Sequence, residues 1–236
     1  GISLSAPGPI DTKNGIILGG YTIPGTRNLA IRDMLQSHLN LPVIIENDGI
    51  AAAIGEWQFG AAIGCKDYVY VSIGTGIGGG VIVNGKPLRG RDGFAGHFGH
   101  MIINPSGEKC FCGNLGCWEA YGCGTALMKI IKAHGYRDFE SFLKEALANA
   151  SSTLEVIESY GDVIGLGIVS LMHIFNPEKI IIGGGVSQLF DNLLAPINQR
   201  IAKSSMKPFQ DTLIQKSTLD DNAGLLGAAC EFFQQY

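Results

Sequence analysis

Between His100 and Glu119 the chain reads HMIINPSGEKCFCGNLGCWE, and this stretch constrains the fold more than any other. Three of the six cysteines, Cys110, Cys112 and Cys117, fall within eight positions, separated by Phe111 and by Gly-Asn-Leu-Gly. Their thiolates, with the His100 imidazole, make a donor set for tetrahedral zinc, and the glycines let the backbone curl around an ion. Four protein ligands leave no open coordination position, so a metal held here is structural. The blander reading, reduced buried cysteines beside an unrelated histidine, stays open on sequence alone. Cys65, Cys123 and Cys230 are scattered and read as small buried hydrophobes.

The remaining composition narrows the setting. A chain of 236 residues with 46% apolar and 16% charged residues can bury a large core, as one domain or two lobes. No apolar run is long enough to cross a bilayer and no basic-then-apolar leader is visible, so a cytoplasmic chain with reduced thiols is expected. A net charge of −4 with dispersed Lys and Arg predicts no nucleic-acid partner. Glycine is the outlier at 34 residues, clustered at the ends of apolar runs where the backbone turns or a ligand approaches.

Along the chain, GISLS reads as a strand, residues 28–39 as a helix, 41–48 as a strand and 49–62 as a helix. Strands at 67–74 and 79–88 flank a glycine-rich turn, and Asn84-Gly85 signals a further hairpin. Residues 89–124 read as irregular. Helical segments follow, the longest from Thr153 to Phe175 before Pro177, then a buried strand into Gly183, Gly184 and Gly185, and a C-terminal helix. The alternation argues a mixed α/β protein.

Three further constellations carry chemistry. IGTGIGGG (73–80) matches G-x-G-x-x-G at Gly74, Gly76 and Gly79, but a strand follows where the dinucleotide fingerprint needs a helix. A phosphate-binding hairpin fits instead, with Gly78 within it and Thr75 adding a hydroxyl. Glu46-Asn47-Asp48 ends an apolar strand, where carboxylates face ligand crevices in α/β sheets. Asp48 suits proton abstraction from a hydroxyl, but from this triplet alone capping the next helix is the better reading. Finally, AGHFGH (95–100) and Glu119 flank the cysteines, so a metal knot would hold imidazole and carboxylate toward a polyol; His97 alone also reads as a solvated loop residue.

Taken together, A-P-G-P-I-D, E-N-D, I-G-T-G-I-G-G-G, A-G-H-F-G-H, C-x-C-G-N-x-G-C-x-E, I-I-G-G-G and the closing N-A-G-L-L-G-A-A resemble the ROK family of sugar kinases and repressors across essentially the whole chain. The resemblance implies an actin-like, ribonuclease H-like two-lobe fold. It implies transfer of the ATP γ-phosphoryl group, with Mg²⁺, to a sugar hydroxyl, most naturally O6. Asp48 is then the catalytic base, and Asn47, Asp48, His97, His100 and Glu119 contact the sugar. The 74–79 turn becomes the second phosphate loop, Gly183–Gly185 lie at the adenosine end, and His100 joins the zinc and sugar sites. A homodimer or tetramer is implied.

Two departures shape the expectations. ROK kinases begin with a strand carrying D-x-G-G-T, whereas this chain starts at Gly1 beyond it. A small lobe incomplete at its N-terminus is expected, made of 1–51 completed by a C-terminal helix at 223–236, with a large lobe at 52–222. Second, many glucose-type members have Glu where His97 stands. A-G-H-x-G-H resembles the N-acetylmannosamine kinases, which leans the substrate that way. The alternatives are a glucokinase- or fructokinase-type enzyme, a sugar-responsive transcriptional regulator, or an inactive fragment.

Overall fold

The computed structural model describes residues 1–19 and 24–235, so Tyr236 of the expected C-terminal helix lies outside the described residues. In chain order the elements are β1 (Ile2–Ala6), β2 (Ile10–Asp11), β3 (Ile16–Ile17), α1 (Ile31–Leu39), β4 (Val43–Asn47), α2 (Asp48–Phe59), β5 (Tyr68–Ile73), β6 (Ile77–Val83) and β7 (Lys86–Pro87). There follow α3 (Trp118–Gly122), α4 (Gly124–Ala133), α5 (Phe139–Leu147), α6 (Leu154–Phe175), β8 (Lys179–Gly183), α7 (Phe190–Ser204), β9 (Leu213–Lys216) and α8 (Asn222–Gln235). They fall into two compact units, with β5 and β6 each passing from one into the other.

The first unit comprises Gly1–Tyr70, Gly79–Gly96 and the stretch from Ser217. Here β1 and β4 pair in parallel from Ile2 opposite Val43 to Ala6 opposite Asn47. All five residues of β4 are buried, as an apolar run ending in polar residues suggests. Asn84 and Gly85, both at positive φ, turn β6 back onto β7. This unit takes in more of the chain than 1–51 with 223–236, because α2 lies closely against α8. A Cβ on Gly227 would sit 1.7 Å from the Ala51 carbonyl oxygen, and one on Gly55 2.1 Å from that of Ala223, so only glycine permits this approach.

The far end of α2 is pinned by Glu56, which is fully buried and accepts hydrogen bonds from the N–H groups of Ala61 (2.7 Å), Thr218 (3.1 Å) and Leu219 (3.0 Å) and from the Ser217 and Thr218 hydroxyls. Removing that carboxylate strands several donors at once. Glu56→Ala should lower stability by about 3–5 kcal/mol, read as a shift in the urea unfolding midpoint. A shift under about 1 kcal/mol would mean that water or neighbours satisfy these donors.

The second unit comprises Val71–Gly78 and His97–Lys216. Its strands are the end of β5 and start of β6 together with β8 and β9, which pair in parallel from Lys179 opposite Leu213. Helix α6 forms the spine. Its Gly161 and Gly165 leave room for Pro196 and Arg200 of α7, and its Gly167 for the ring of Trp118. Trp118 is fully buried and donates from Nε1 to the Val163 carbonyl at 2.9 Å. That anchor fixes the chain on both sides of it, at Cys117 and Glu119.

Candidate functional site

The cysteine segment folds into a tight knot. Cys110 N–H donates to the Asn114 carbonyl (2.8 Å) and Gly116 N–H to that of Glu108 (2.8 Å), with Gly113 and Gly116 at φ 99° and 73°. Bridges Lys109–Leu115 and Ile102–Cys117 close it. The ligand atoms of His100, Cys110, Cys112 and Cys117 all lie within 4.8 Å of one another. Cys112 Sγ is 3.6 Å from Cys117 Sγ, and Cys110 Sγ is 3.7 Å from His100 Nδ1. A zinc tetrahedron with Zn–S of about 2.3 Å and Zn–N of about 2.0–2.1 Å has edges of roughly 3.6–3.8 Å, so the donors fit that ion. The sulfur separation is also far beyond a disulfide.

The thiols bear on how a metal would enter. Burial pushes Cys117 up to about 12, aided by hydrogen bonds to Cys112 and Cys110, and burial likewise raises Cys110. Cys112 runs the other way: burial opposes ionisation, but the Asn114 N–H and the neighbouring thiols hold it below the usual thiol value. Metal uptake at such a site therefore displaces protons.

Glu119 is the second residue of α3, directly after Cys117-Trp118, and is buried, at 8% exposure. Its Oε2 accepts the Ile77 N–H at 2.6 Å, with Gly76 and Gly99 so close that any side chain there would strike the carboxylate or the Ile77 carbonyl. Its Oε1 is buried and has no hydrogen-bond partner among the described residues. A rigidly held carboxylate oxygen with an unmet acceptor position is a place for a ligand hydroxyl. His97 and His100 stack with ring centroids 6.3 Å apart. His97 is solvent-reachable yet ringed by protein, and that desolvation, helped by His100 and opposed by Glu119, lowers its pKa. Its ring is thereby kept neutral, able to donate from one nitrogen and accept at the other.

In the first unit, the turn from β4 into α2 separates the roles left open at Asn47 and Asp48. Asn47 is the helix cap: its Oδ1 accepts from Gly49 N–H (3.0 Å) and Ile50 N–H (3.2 Å). Asp48 is exposed, forms no ion pair among the described residues, and accepts the Gly49 N–H at 2.8 Å. Surrounding protein atoms withhold water from its carboxyl and raise its pKa, against the pull of the Gly49 N–H.

The expected phosphate residues separate. Gly74, Thr75 and Gly76 form the turn between β5 and β6, but Gly78 and Gly79 lie within β6 itself. Gly79 is where α2 closes on the strand, since a Cβ on Gly49 would sit 2.5 Å from its carbonyl oxygen. Gly183 ends β8, Gly184 packs against Ile73, and Gly185 reaches a cleft of about 500 Å³ that Gly74 and Thr75 also line. Sequence reasoning missed the rest of this cleft. Gly124 and Thr125 stand at the N-terminus of α4, bonded to the carbonyls of Gly74 (2.7 Å) and Thr75 (3.0 Å), and Leu127, Met128, Phe139 and Val186 make an apolar wall. A tight glycine turn, closed by the Gly74 N–H on the Gly76 carbonyl (3.0 Å), beside a helix N-terminus suits phosphate, and the wall suits a flat apolar group. The only signal for Gly124-Thr125 was a glycine at the start of a helical run.

The chain is 34% identical over 246 residues to a glucokinase of Thermotoga maritima, covering 97% of this chain and 77% of that protein. It is 34% identical to the xylose repressor of Bacillus spizizenii over 229 residues, 96% of this chain but 59% of the repressor. In structure it matches a ROK glucokinase from Streptomyces griseus, solved with glucose and AMPPNP, at a TM-score of 0.86 and 30% identity over 97% of this chain and 80% of that one. With the ROK family pattern matching residues 1–235, the chain belongs to the ROK family and has the actin-like ATPase fold of its sugar kinases.

Proposed function

We propose that this protein phosphorylates a hexose or N-acetylhexosamine from ATP, at the O6 hydroxyl. The observation that carries the reading is Asp48: Asn47 performs the capping, so the Asp48 carboxylate is not needed as the cap and has a raised pKa. A carboxylate of raised pKa is a better general base. Asp48 takes the hydroxyl proton, the sugar oxygen bonds to the γ-phosphorus, and the bond from that phosphorus to the β–γ bridging oxygen breaks to release ADP. Asn47, His97, His100 and Glu119 hold the sugar, with the unpartnered Glu119 Oε1 accepting a ring hydroxyl. The Gly74–Gly76 turn and Gly185 bear the nucleotide, with Gly183 and Gly184 shaping that end; Gly78 and Gly79 support the turn from within β6.

Zinc bound by His100, Cys110, Cys112 and Cys117 supplies no open position and serves as a brace. Mg²⁺ would be carried chiefly on the nucleotide phosphates.

His97 leans the substrate toward N-acetylmannosamine, because a neutral imidazole can both donate and accept near C1 and C2. A second reading, a sugar-responsive regulator that binds without phosphorylating, is favoured by the likeness to xylose repressors. ADP release assayed across glucose, mannose, fructose, N-acetylglucosamine and N-acetylmannosamine separates the two. The kinase reading expects sugar-dependent ADP release with N-acetylmannosamine foremost. Sugar binding with ADP release no higher than the sugar-free control would favour the regulator, and glucose ahead severalfold would remove the lean.

A further inference from the structure

Resting on the reading of Asp48 as the base, we infer that Arg89 is a positioning residue that sets the direction of the Asp48 carboxylate. Arg89 stands at the root of the 89–96 loop, two residues beyond β7, and its carbonyl accepts the Ala95 N–H at 3.2 Å. Its side chain reaches down to β4: both Nε and Nη2 lie 3.0 Å from Glu46 Oε2. Nη2 also pairs with Glu231 Oε2 on α8. Glu46 is only 3% exposed, and its other oxygen, Oε1, accepts the backbone N–H of Asn47 at 2.8 Å. The relay therefore runs from the guanidinium, through a buried carboxylate, to the Glu46–Asn47 peptide, one peptide bond short of the one that leads into Asp48.

That peptide is the lever. Asn47 holds α2 by its side chain, and Glu46 holds Asn47 by its backbone, so the two together fix the corner from which Asp48 projects. A buried carboxylate keeps one orientation only while charged and paired. Burial drives the Glu46 carboxyl above its ordinary range and the Arg89 charge pulls it back, in keeping with that dependence. Arg89 touches no reacting atom in this scheme, and a guanidinium that reaches one oxygen of Glu46 with two nitrogens while pairing Glu231 is not replaced by a lysine point charge.

The test compares Arg89→Met, Arg89→Lys, Glu231→Gln and Asp48→Asn in the protein, measuring kcat and, by calorimetry, sugar Kd. Arg89→Met should lower kcat by about 10–100-fold, the loss expected from a displacement near 1 Å, with sugar Kd changing far less. Arg89→Lys should recover part of the loss. Glu231→Gln, which frees only the α8 arm, should stay near wild type. If Arg89→Met does not fold, the double variant Arg89→Met/Glu46→Gln, which leaves no unpaired charge at 46, carries the same expectation for kcat. The inference is overturned if kcat stays within about threefold of wild type, if Glu231→Gln loses as much as Arg89→Met, or if Kd rises as much as kcat falls. If Asp48→Asn is inactive while Arg89→Met is normal, this inference alone fails; if Asp48→Asn is fully active, the reading beneath it fails.

Discussion

Cys117→Ser should empty the zinc site and weaken sugar binding before it touches nucleotide binding. Cys117 is fully buried, and the next two residues are the Trp118 anchor and Glu119. Loss of a structural metal belongs with the large destabilisations, of roughly 4–5 kcal/mol or more. At about 2–4 °C per kcal/mol for a chain of this size, Tm should fall by about 10 °C or more. Metal analysis should find about one zinc per wild-type chain, the number that a single Cys3His quartet holds, and close to none in the variant. Sugar Kd should rise at least tenfold, while the cleft at Gly74, Thr75 and Gly185, which none of the four metal ligands lines, should lose less of its nucleotide affinity. Because the buried thiols must lose protons to bind metal, zinc retention against a chelator should fall as pH is lowered. Wild-type protein that carries no zinc, and whose Tm ignores a chelator, would remove the brace from the account.

How much of this could be read from residues alone depended on whether the signal was local. The quartet was legible because its spacing puts four soft donors within one short loop, and the hairpin at 84–85 because Asn-Gly at positive φ specifies its own turn. The buried run of β4 and the stop of α6 before Pro177 were local in the same way. Other features depend on packing that no short window contains. Helix α7 runs through Pro196, whose ring sits in the notch at Gly161, thirty-five residues earlier in sequence. Gly78 and Gly79 look like turn residues, yet both are strand residues of β6, and it is at Gly80 that a Cβ would meet α2, 2.7 Å from the Ala53 Cβ. From the residues alone the cap was the better reading of Asp48, and only side-chain geometry assigned it to Asn47. The part played by Arg89 joins residues 46, 89 and 231, which nothing in their neighbourhoods links.

Asp48→Asn should reduce turnover by about 10²–10⁴-fold, the range for losing a positioned general base. The amide keeps the size of the side chain and can still accept the Gly49 N–H, so α2 should form as before. Stability should not fall. The folded-state pKa of Asp48 is raised, so ionising this carboxyl costs the folded state free energy above that pKa, and the cost is relieved as pH falls through it. Asp48→Asn should therefore melt at or slightly above the wild-type temperature at neutral pH, with the difference closing in acid. For the same reason, the acid limb of wild-type turnover should lie above the ordinary aspartate value of about 3.9. The most direct measurement pairs sugar calorimetry with kcat on wild type and Asp48→Asn, using the sugar that gives the highest ADP release. The account predicts sugar affinities within a few-fold of each other and a turnover ratio of at least about 10²; equal turnover would show that Asp48 is not the base.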